Sequence, residues 1–330
     1  MLRDHHGREI TDLRVAVTDR CNFRCIYCRS AEPETYQPPE HLLTWPELLR
    51  LCRILNRLGI RKIRVTGGEP LVRPGVEDFI ARLTSEGSYE DIALTTNGLT
   101  LGKQAARLAA AGLQRVNVSV DSLQAARFDS ITRTQGALAR VLAGIEQAQV
   151  AGLSPVKINV VIVRGFNHDE IVAFAEFARE RGLIMRCIEF MPLDADHIWH
   201  RSRVVTAAEI RGTLERAGLP LAEIPRSYAS ETALRYRFAD GGPGEIGLVA
   251  PVTEPFCGKC SRIRLTADGK IRTCLFSRVD HDLRGLVRAG ASDAHIAAEV
   301  ECIIQMKEDG HHINDPNYVP PNRTMVFIGG

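Results

Sequence analysis

Long hydrophobic runs are missing from this 330-residue chain. Its longest apolar stretches, such as Val160 to Val163, fall far short of the roughly 20 residues that span a bilayer. The first ten residues are charged and lack the apolar core of a secretory leader. A cytoplasmic protein with no membrane partner is therefore expected. Charge of one sign is also scarce. Forty-two Lys+Arg against forty Asp+Glu leave a formal net charge of +2, too even a balance for a protein that coats nucleic acid. Any polyanion should be held by a few local basic residues. No low-complexity segment occurs, and no repeat beyond a strand–helix unit. With 45% hydrophobic and 25% charged residues, disordered and fibrous classes drop out. No G-x-x-x-x-G-K-S/T stretch is present, so nucleotide phosphates are not held by a P-loop. Gly242 to Gly247 match G-x-G-x-x-G, but strands flank them and no helix follows, so the dinucleotide fingerprint fails on context.

What is present is organised as strand and helix in turn. Six near-continuously apolar runs, at 13–19, 62–68, 91–97, 115–121, 156–163 and 185–192, read as buried strands. Amphipathic stretches at 45–58, 102–111, 137–152 and 169–181 read as helices. Thr44 before Trp45-Pro46 suits an N-cap. Gly59, Gly112, Gly152 and Gly182 stand where left-handed C-caps are wanted. The alternation implies an α/β fold with a parallel sheet and right-handed crossovers, either a partial barrel or an open doubly wound sheet. Polar and glycine-rich residues collect at the strands' C-terminal ends, where both architectures assemble their chemistry. After residue 192 the pattern changes. Residues 193–202 read as a linker, 206–217 as a helix, 236–271 as antiparallel strands and 293–307 as a helix, before a tail ending Gly329-Gly330. Two domains are expected, 1–192 and 193–330.

Nine cysteines in a reducing compartment point away from disulfides. Cys21, Cys25 and Cys28 form C-x3-C-x2-C in the loop after the first strand. Three thiolates are too few for a structural zinc site, whereas a [4Fe–4S] cluster held by three leaves one iron open. Cys257, Cys260 and Cys274 form C-x2-C-x13-C. Asp268-Gly269 reads as a type I′ turn, which pairs Ala267 with Lys270 and sets Ile263 opposite Cys274. That register puts Cys260 and Cys274 on opposite strand faces, so a bend or bulge is expected there. A second Fe–S cluster with an open iron is the better reading; a zinc ribbon would need a fourth ligand. Arg262 and Arg264 share a strand face beside it and suit a phosphate clamp. Cys52, Cys187 and Cys302 read as buried packing residues, and His311 and His312 as solvated.

CNFRCIYC after a strand, GGEP (Gly67 to Pro70) after the next and six β/α units resemble the radical S-adenosylmethionine (SAM) superfamily. The resemblance implies a partial (β/α)6, TIM-like barrel. It also implies a [4Fe–4S] cluster on Cys21, Cys25 and Cys28 whose fourth iron chelates SAM, and cleavage of SAM to a 5′-deoxyadenosyl radical. Tyr27, Gly68, Ser119 and Met191 would line the SAM site. The second triad, Arg262-Ile263-Arg264 and the final glycine pair resemble more narrowly the GTP 3′,8-cyclase family. That implies a C-terminal antiparallel β region with an auxiliary [4Fe–4S] cluster on Cys257, Cys260 and Cys274 facing GTP. Arg14, Arg64, Thr95, Lys157, Arg262, Ile263 and Arg264 would hold GTP, with Arg186, Gly329 and Gly330 catalytic. The resemblance further implies closure of GTP between ribose C3′ and guanine C8, the first step of molybdenum cofactor biosynthesis. A homodimer, an electron donor and handover to cyclic pyranopterin monophosphate synthase follow with it. The competing readings are a peptide-modifying radical SAM enzyme and a non-catalytic electron carrier.

Overall fold

The computed structural model describes residues 1–32 and 35–329. The six expected strands form as β1 (Asp12–Ala16), β2 (Lys62–Thr66), β3 (Asp91–Thr96), β4 (Arg115–Ser119), β5 (Val156–Ile162) and β6 (Ile184–Glu189). The helices between them are α1 (Trp45–Leu58), α2 (Val76–Glu86), α3 (Leu101–Ala110), α4 (Ala125–Thr132), α5 (Leu138–Val150) and α6 (Ile171–Glu180). Of these, α2 and α4 had no counterpart in the sequence reading. The start of α1 shows why the chain turns helical where it does. Thr44 Oγ1 accepts from the Glu47 amide and Glu47 Oε2 accepts from the Thr44 amide at 2.7 Å, which satisfies two otherwise orphaned donors. Gly59, Gly112, Gly152 and Gly182 all take positive φ.

Beyond residue 192 come α7 (Ala207–Arg216), β7 (Leu221–Ile224), β8 (Leu234–Phe238), β9 (Glu245–Val249), β10 (Arg262–Leu265), β11 (Lys270–Arg272), β12 (His281–Asp282), α8 (Leu283–Arg288), α9 (Asp293–Gln305) and α10 (Met325–Ile328). Among the described residues one sheet runs β12-β11-β10-β1-β2-β3-β4-β5-β6-β9-β8-β7. The expected antiparallel group from 236 to 271 is therefore divided. Its β9 joins β6 in parallel and its β10 joins β1 in parallel, so the C-terminal half extends both edges of the barrel strip. The strip stays open, and helices cover its outer face. No helix of the described residues is long and apolar enough to cross a membrane.

Two expectations about the strands change. The inner strands alternate: β5 and β6 bury every second residue fully and leave the others partly accessible. That second set mixes Lys157, Asn159 and Arg186 with Val161, Ile184 and Ile188, because the inner face of the strip borders a cavity instead of a dry core. The β10–β11 hairpin pairs Arg264 with Arg272 and Leu265 with Ile271, one residue away from the expected register. A type I′ turn needs positive φ at both central residues; here only Gly269 has it. Thr266 donates to the Lys270 carbonyl at 2.9 Å and Asp268 Oδ1 accepts from Thr266 Oγ1 at 2.6 Å, closing a three-residue loop. The shift has a consequence for the cysteines. Continued outward, this register sets Cys274 opposite Arg262, on the same face as Cys260, and the expected bulge is not required.

Of the isolated cysteines, Cys52 and Cys187 are buried as expected, but Cys302 is exposed. The buried side of α9 consists of Ile296, Val300, Ile303 and Ile304, and Cys302 faces away from it.

Candidate active site

The first cysteine loop leaves β1 at its C-terminal end and is pinned on both sides. The Arg24 and Ile26 amides donate to carbonyls of Thr132 and Ile131 at the end of α4. Arg29, buried under the loop, donates to the Cys21 and Phe23 carbonyls. The GGEP segment lies against the loop's entry: the Gly68 amide donates to Thr18 at 2.7 Å and the Glu69 amide to Arg20 at 2.8 Å. A Cβ on Gly68 would stand 2.3 Å from the Arg20 carbonyl oxygen, so glycine is demanded here by backbone packing alone. Glu69 is fully enclosed, accepting from the Leu71 and Asn97 amides and from Thr96 Oγ1. Burial pushes its carboxyl up to about 7.

The thiols of this loop are close enough to act on one another; burial raises Cys21 to about 11 and holds Cys25 well above the usual thiol range. Donors already face sulfur: the Phe23 amide lies 3.4 Å and Asn97 Nδ2 3.8 Å from Cys21 Sγ. Hydrogen bonds to sulfur are what a cluster thiolate needs and what sets its potential. Among the described residues no three His, Cys, Asp or Glu side chains gather closely enough to hold a single metal ion. The donor set fits a three-thiolate Fe–S cluster.

Beside the loop opens a cavity of about 240 Å³. Strand register explains its wall. Arg264, Arg14 and Arg64 lie in one row across β10, β1 and β2, and Asn159 pairs with Arg186 across β5 and β6. All four arginines, with Arg262, line the cavity. Burial, then repulsion from Arg264, Arg262 and Arg186, holds the Arg14 guanidinium well below its usual range. Arg64 is lowered likewise by burial and then by Arg115 and Arg14; Arg264 comes down to about 9 through burial and Arg262. Arg64 Nη1 and Arg262 Nε are buried without a hydrogen-bond partner. Guanidinium does not readily shed its proton, so this crowding is relieved by an anion. A smaller cavity, lined by four of these five arginines (Arg14, Arg64, Arg186 and Arg262) together with Lys62 and Tyr228, continues toward the strands' N-terminal ends.

Thr95, Ser119, Tyr27 and Met191 also line the main cavity. Tyr27 does so with its hydroxyl on Asp121 Oδ2 at 2.6 Å. Lys157 stands outside the lining, deeper along β5, where Asn117 is its cross-strand neighbour. Ile263 turns its side chain into the hydrophobic core and does not line the cavity. Gly329 packs against Ala16 and Thr66, and its carbonyl accepts from Arg264 Nη1. Gly330 lies outside the described residues.

Cys257, Cys260 and Cys274 line the same cavity. Because β10 runs parallel to β1, Cys260 precedes the strip's N-terminal side while Cys21 follows its C-terminal side. Five or six residues of strand, about 15–20 Å, separate the two ends. Burial raises Cys257 and Cys274. At Cys260 burial opposes ionisation, yet Arg262 and Lys307 bring the thiol down to about 7. Arg8 Nη1 donates to the Cys257 and Asp309 carbonyls, tying the N-terminus to this loop.

Several wall residues escaped the sequence reading. Asn117 on β4 and Asp121 just past its end alternate with the expected Ser119, as Asn159 and Val161 alternate on β5, and all of them face the cavity. The signal was there: polar residues at every second position of an otherwise buried strand mark the face of an internal cavity. His311, expected in solvent, is half-buried and also lines it.

Comparison with known proteins names the class. Residues 15–178 match the Radical SAM superfamily and residues 183–313 match Molybdenum Cofactor Synthesis C. The structure of Streptococcus suis SuiB bound to precursor peptide SuiA superposes with a TM-score of 0.64 at 12% identity, over 96% of this chain and 75% of that one. At that identity the likeness is one of fold. The fold and the first cysteine loop define a radical SAM enzyme. A GTP 3′,8-cyclase of Mycobacterium sp. (strain KMS) is 47% identical over 330 residues, covering 100% of this chain and 93% of the relative. One from Corynebacterium glutamicum is 48% identical over 339 residues, covering 100% and 89%. One from Paenarthrobacter nicotinovorans is 43% identical over 345 residues, covering 100% and 97%. The chain belongs to the GTP 3′,8-cyclase family.

Proposed function

We propose that this chain closes GTP between ribose C3′ and guanine C8, giving 3′,8-cyclo-7,8-dihydroguanosine triphosphate, the first step of molybdenum cofactor biosynthesis. One observation carries the reading: a single cavity has the first cysteine loop's Tyr27 at one end, the second cysteine triad at the other and, in its wall, crowded guanidinium groups of which Arg64 and Arg262 each bury a nitrogen without a partner. Cys21, Cys25 and Cys28 would hold the SAM-chelating cluster, and Cys257, Cys260 and Cys274 the cluster that faces guanine. When bound, the first cluster supplies an electron to SAM and so the 5′-deoxyadenosyl radical that takes the 3′ hydrogen. Tyr27, Gly68, Ser119 and Met191 would position SAM.

Arg14, Arg64, Arg262 and Arg264 receive the triphosphate, trading mutual repulsion for charge-assisted hydrogen bonds. Thr95, Lys157 and the backbone of Ile263 complete the substrate's surroundings. Arg186, Gly329 and Gly330 are assigned to the reacting end, with the Arg264–Gly329 hydrogen bond holding the tail in the barrel mouth. Residues 1–192 form the SAM-cleaving unit and 193–330 the substrate-facing one. A cytoplasmic homodimer, an external electron donor and delivery of product to cyclic pyranopterin monophosphate synthase belong to the same reading. The peptide-modifying alternative has only the 12% likeness of fold behind it.

The test is an anaerobic incubation of reconstituted protein with SAM, dithionite and GTP, read by mass spectrometry. 5′-Deoxyadenosine together with a GTP-dependent cyclised isomer is expected, and Cys25→Ala should release neither. Deoxyadenosine without the isomer would reject GTP as substrate.

A further inference from the structure

Two residues past the end of α9, Lys307 is 2% exposed. Its Nζ donates to the Arg262 carbonyl at 2.9 Å and to the Thr273 carbonyl. Those two carbonyls belong to β10 just after Cys260 and to the residue before Cys274. Lys307 thus sits where the two hairpin strands part to present their cysteines. Both of its partners are neutral. The nearest carboxylate on this turn, Glu308, accepts instead from Thr273 Oγ1 at 2.7 Å. A buried ammonium with only carbonyl partners is costly unless negative charge lies close by.

We infer that Lys307 is a positioning residue for the auxiliary cluster: its fixed positive charge draws the three thiolates together and favours the cluster's reduced state. This rests on the reading of Cys257, Cys260 and Cys274 as cluster ligands. One-electron reduction of a [4Fe–4S] cluster adds one negative charge without bond cleavage, with dithionite as the electron source. A neighbouring cation stabilises that added charge, so removing it lowers the midpoint potential.

The experiment uses the full chain, both as the two-cluster protein and in a background with Cys21, Cys25 and Cys28 changed to Ala. There the auxiliary cluster alone contributes to the paramagnetic spectrum. K307Q keeps hydrogen-bond donors without the charge; K307R keeps the charge. Iron per chain and the midpoint potential of the reduced-cluster signal are measured for each. K307Q should shift the reduction equilibrium at least tenfold against reduction, about 59 mV for one electron, while K307R stays near wild type. If K307Q folds but loads no auxiliary iron and K307R does load it, the charge is needed for assembly, which also supports the inference. An unaltered potential in a fully loaded K307Q overturns it, and so does equal loss in K307Q and K307R, which would mark Lys307 as packing. Absence of iron from the three-alanine background with Lys307 intact would instead overturn the cluster reading itself.

Discussion

A guanidinium buried among other guanidinium groups contributes to the folded protein in an unusual direction. Arg64 has one nitrogen without a partner and is lowered by burial, Arg115 and Arg14. Replacing a buried, uncompensated charge by an apolar side chain of similar length is often neutral or stabilising by about 1–4 kcal/mol. Arg64→Met should therefore melt no lower than wild type without nucleotide, yet lose at least tenfold in GTP affinity, as calorimetry would show. A loss of stability with affinity intact would mean the arginine serves the fold. Lys157 gives a pH-dependent counterpart. Burial, then Arg186 and Arg115, brings its ammonium from 10.5 down to about 7. Between pH 7 and 10.5 the unfolded chain then binds more protons than the folded one at this group. Its contribution to stability accordingly rises with pH through that window, and below about pH 7 its full penalty remains. A bound triphosphate favours the ammonium, so GTP binding at pH 8 should take up a proton. Calorimetry in buffers of different ionisation enthalpy would detect the uptake, and Lys157→Met should abolish it.

At the scale of elements, the β10–β11 hairpin decides whether the second triad can converge. Its loop depends on Gly269, at φ +77°, where a Cβ would also stand 2.6 Å from Arg284 Cβ. Gly269→Ala should cost about 1–3 kcal/mol in denaturant unfolding. It should also lower auxiliary iron content while leaving SAM cleavage by the first loop intact, a split measurable on one preparation. The type I′ expectation failed here for a reason the local sequence does not contain. Asp-Gly suits two-residue and three-residue loops alike, and the choice was made by contacts from far along the chain. Arg323 holds Asp268 through both carboxylate oxygens, at 2.9 and 2.8 Å. The adjoining Thr266–Asp268 bond completes the three-residue form.

Across the whole molecule, that same Arg323 joins the tail to the hairpin and reaches Asp280 at 2.6 Å. Five residues on, α10 ends and Gly329 enters the barrel mouth beside Arg264. Arg323→Ala should leave Asp268 short of partners and cost about 1–3 kcal/mol. It should raise hydrogen exchange at 325–329 and raise the KM for GTP more than it lowers SAM cleavage. Unchanged exchange in the tail would show that the Arg264–Gly329 bond suffices by itself.

The sequence by itself determined the chemistry each loop can offer. Cysteines three and four residues apart on one loop share a ligand regardless of what packs around them, and apolar runs separated by capped helices form parallel strands because nothing else buries them. Thr44, Gly59 and Cys25 were legible for that reason. Which strands became neighbours was decided only in three dimensions. β10 pairs with β1 across about 250 residues of intervening chain, through backbone hydrogen bonds that carry no residue code. That pairing places Arg264, Arg14 and Arg64 in one row and brings Tyr27 of the first cysteine loop and the second cysteine triad to one cavity. Separately in the sequence these arginines are ordinary surface charges; the electrostatic crowding that suits them to a triphosphate exists only once the sheet brings them together.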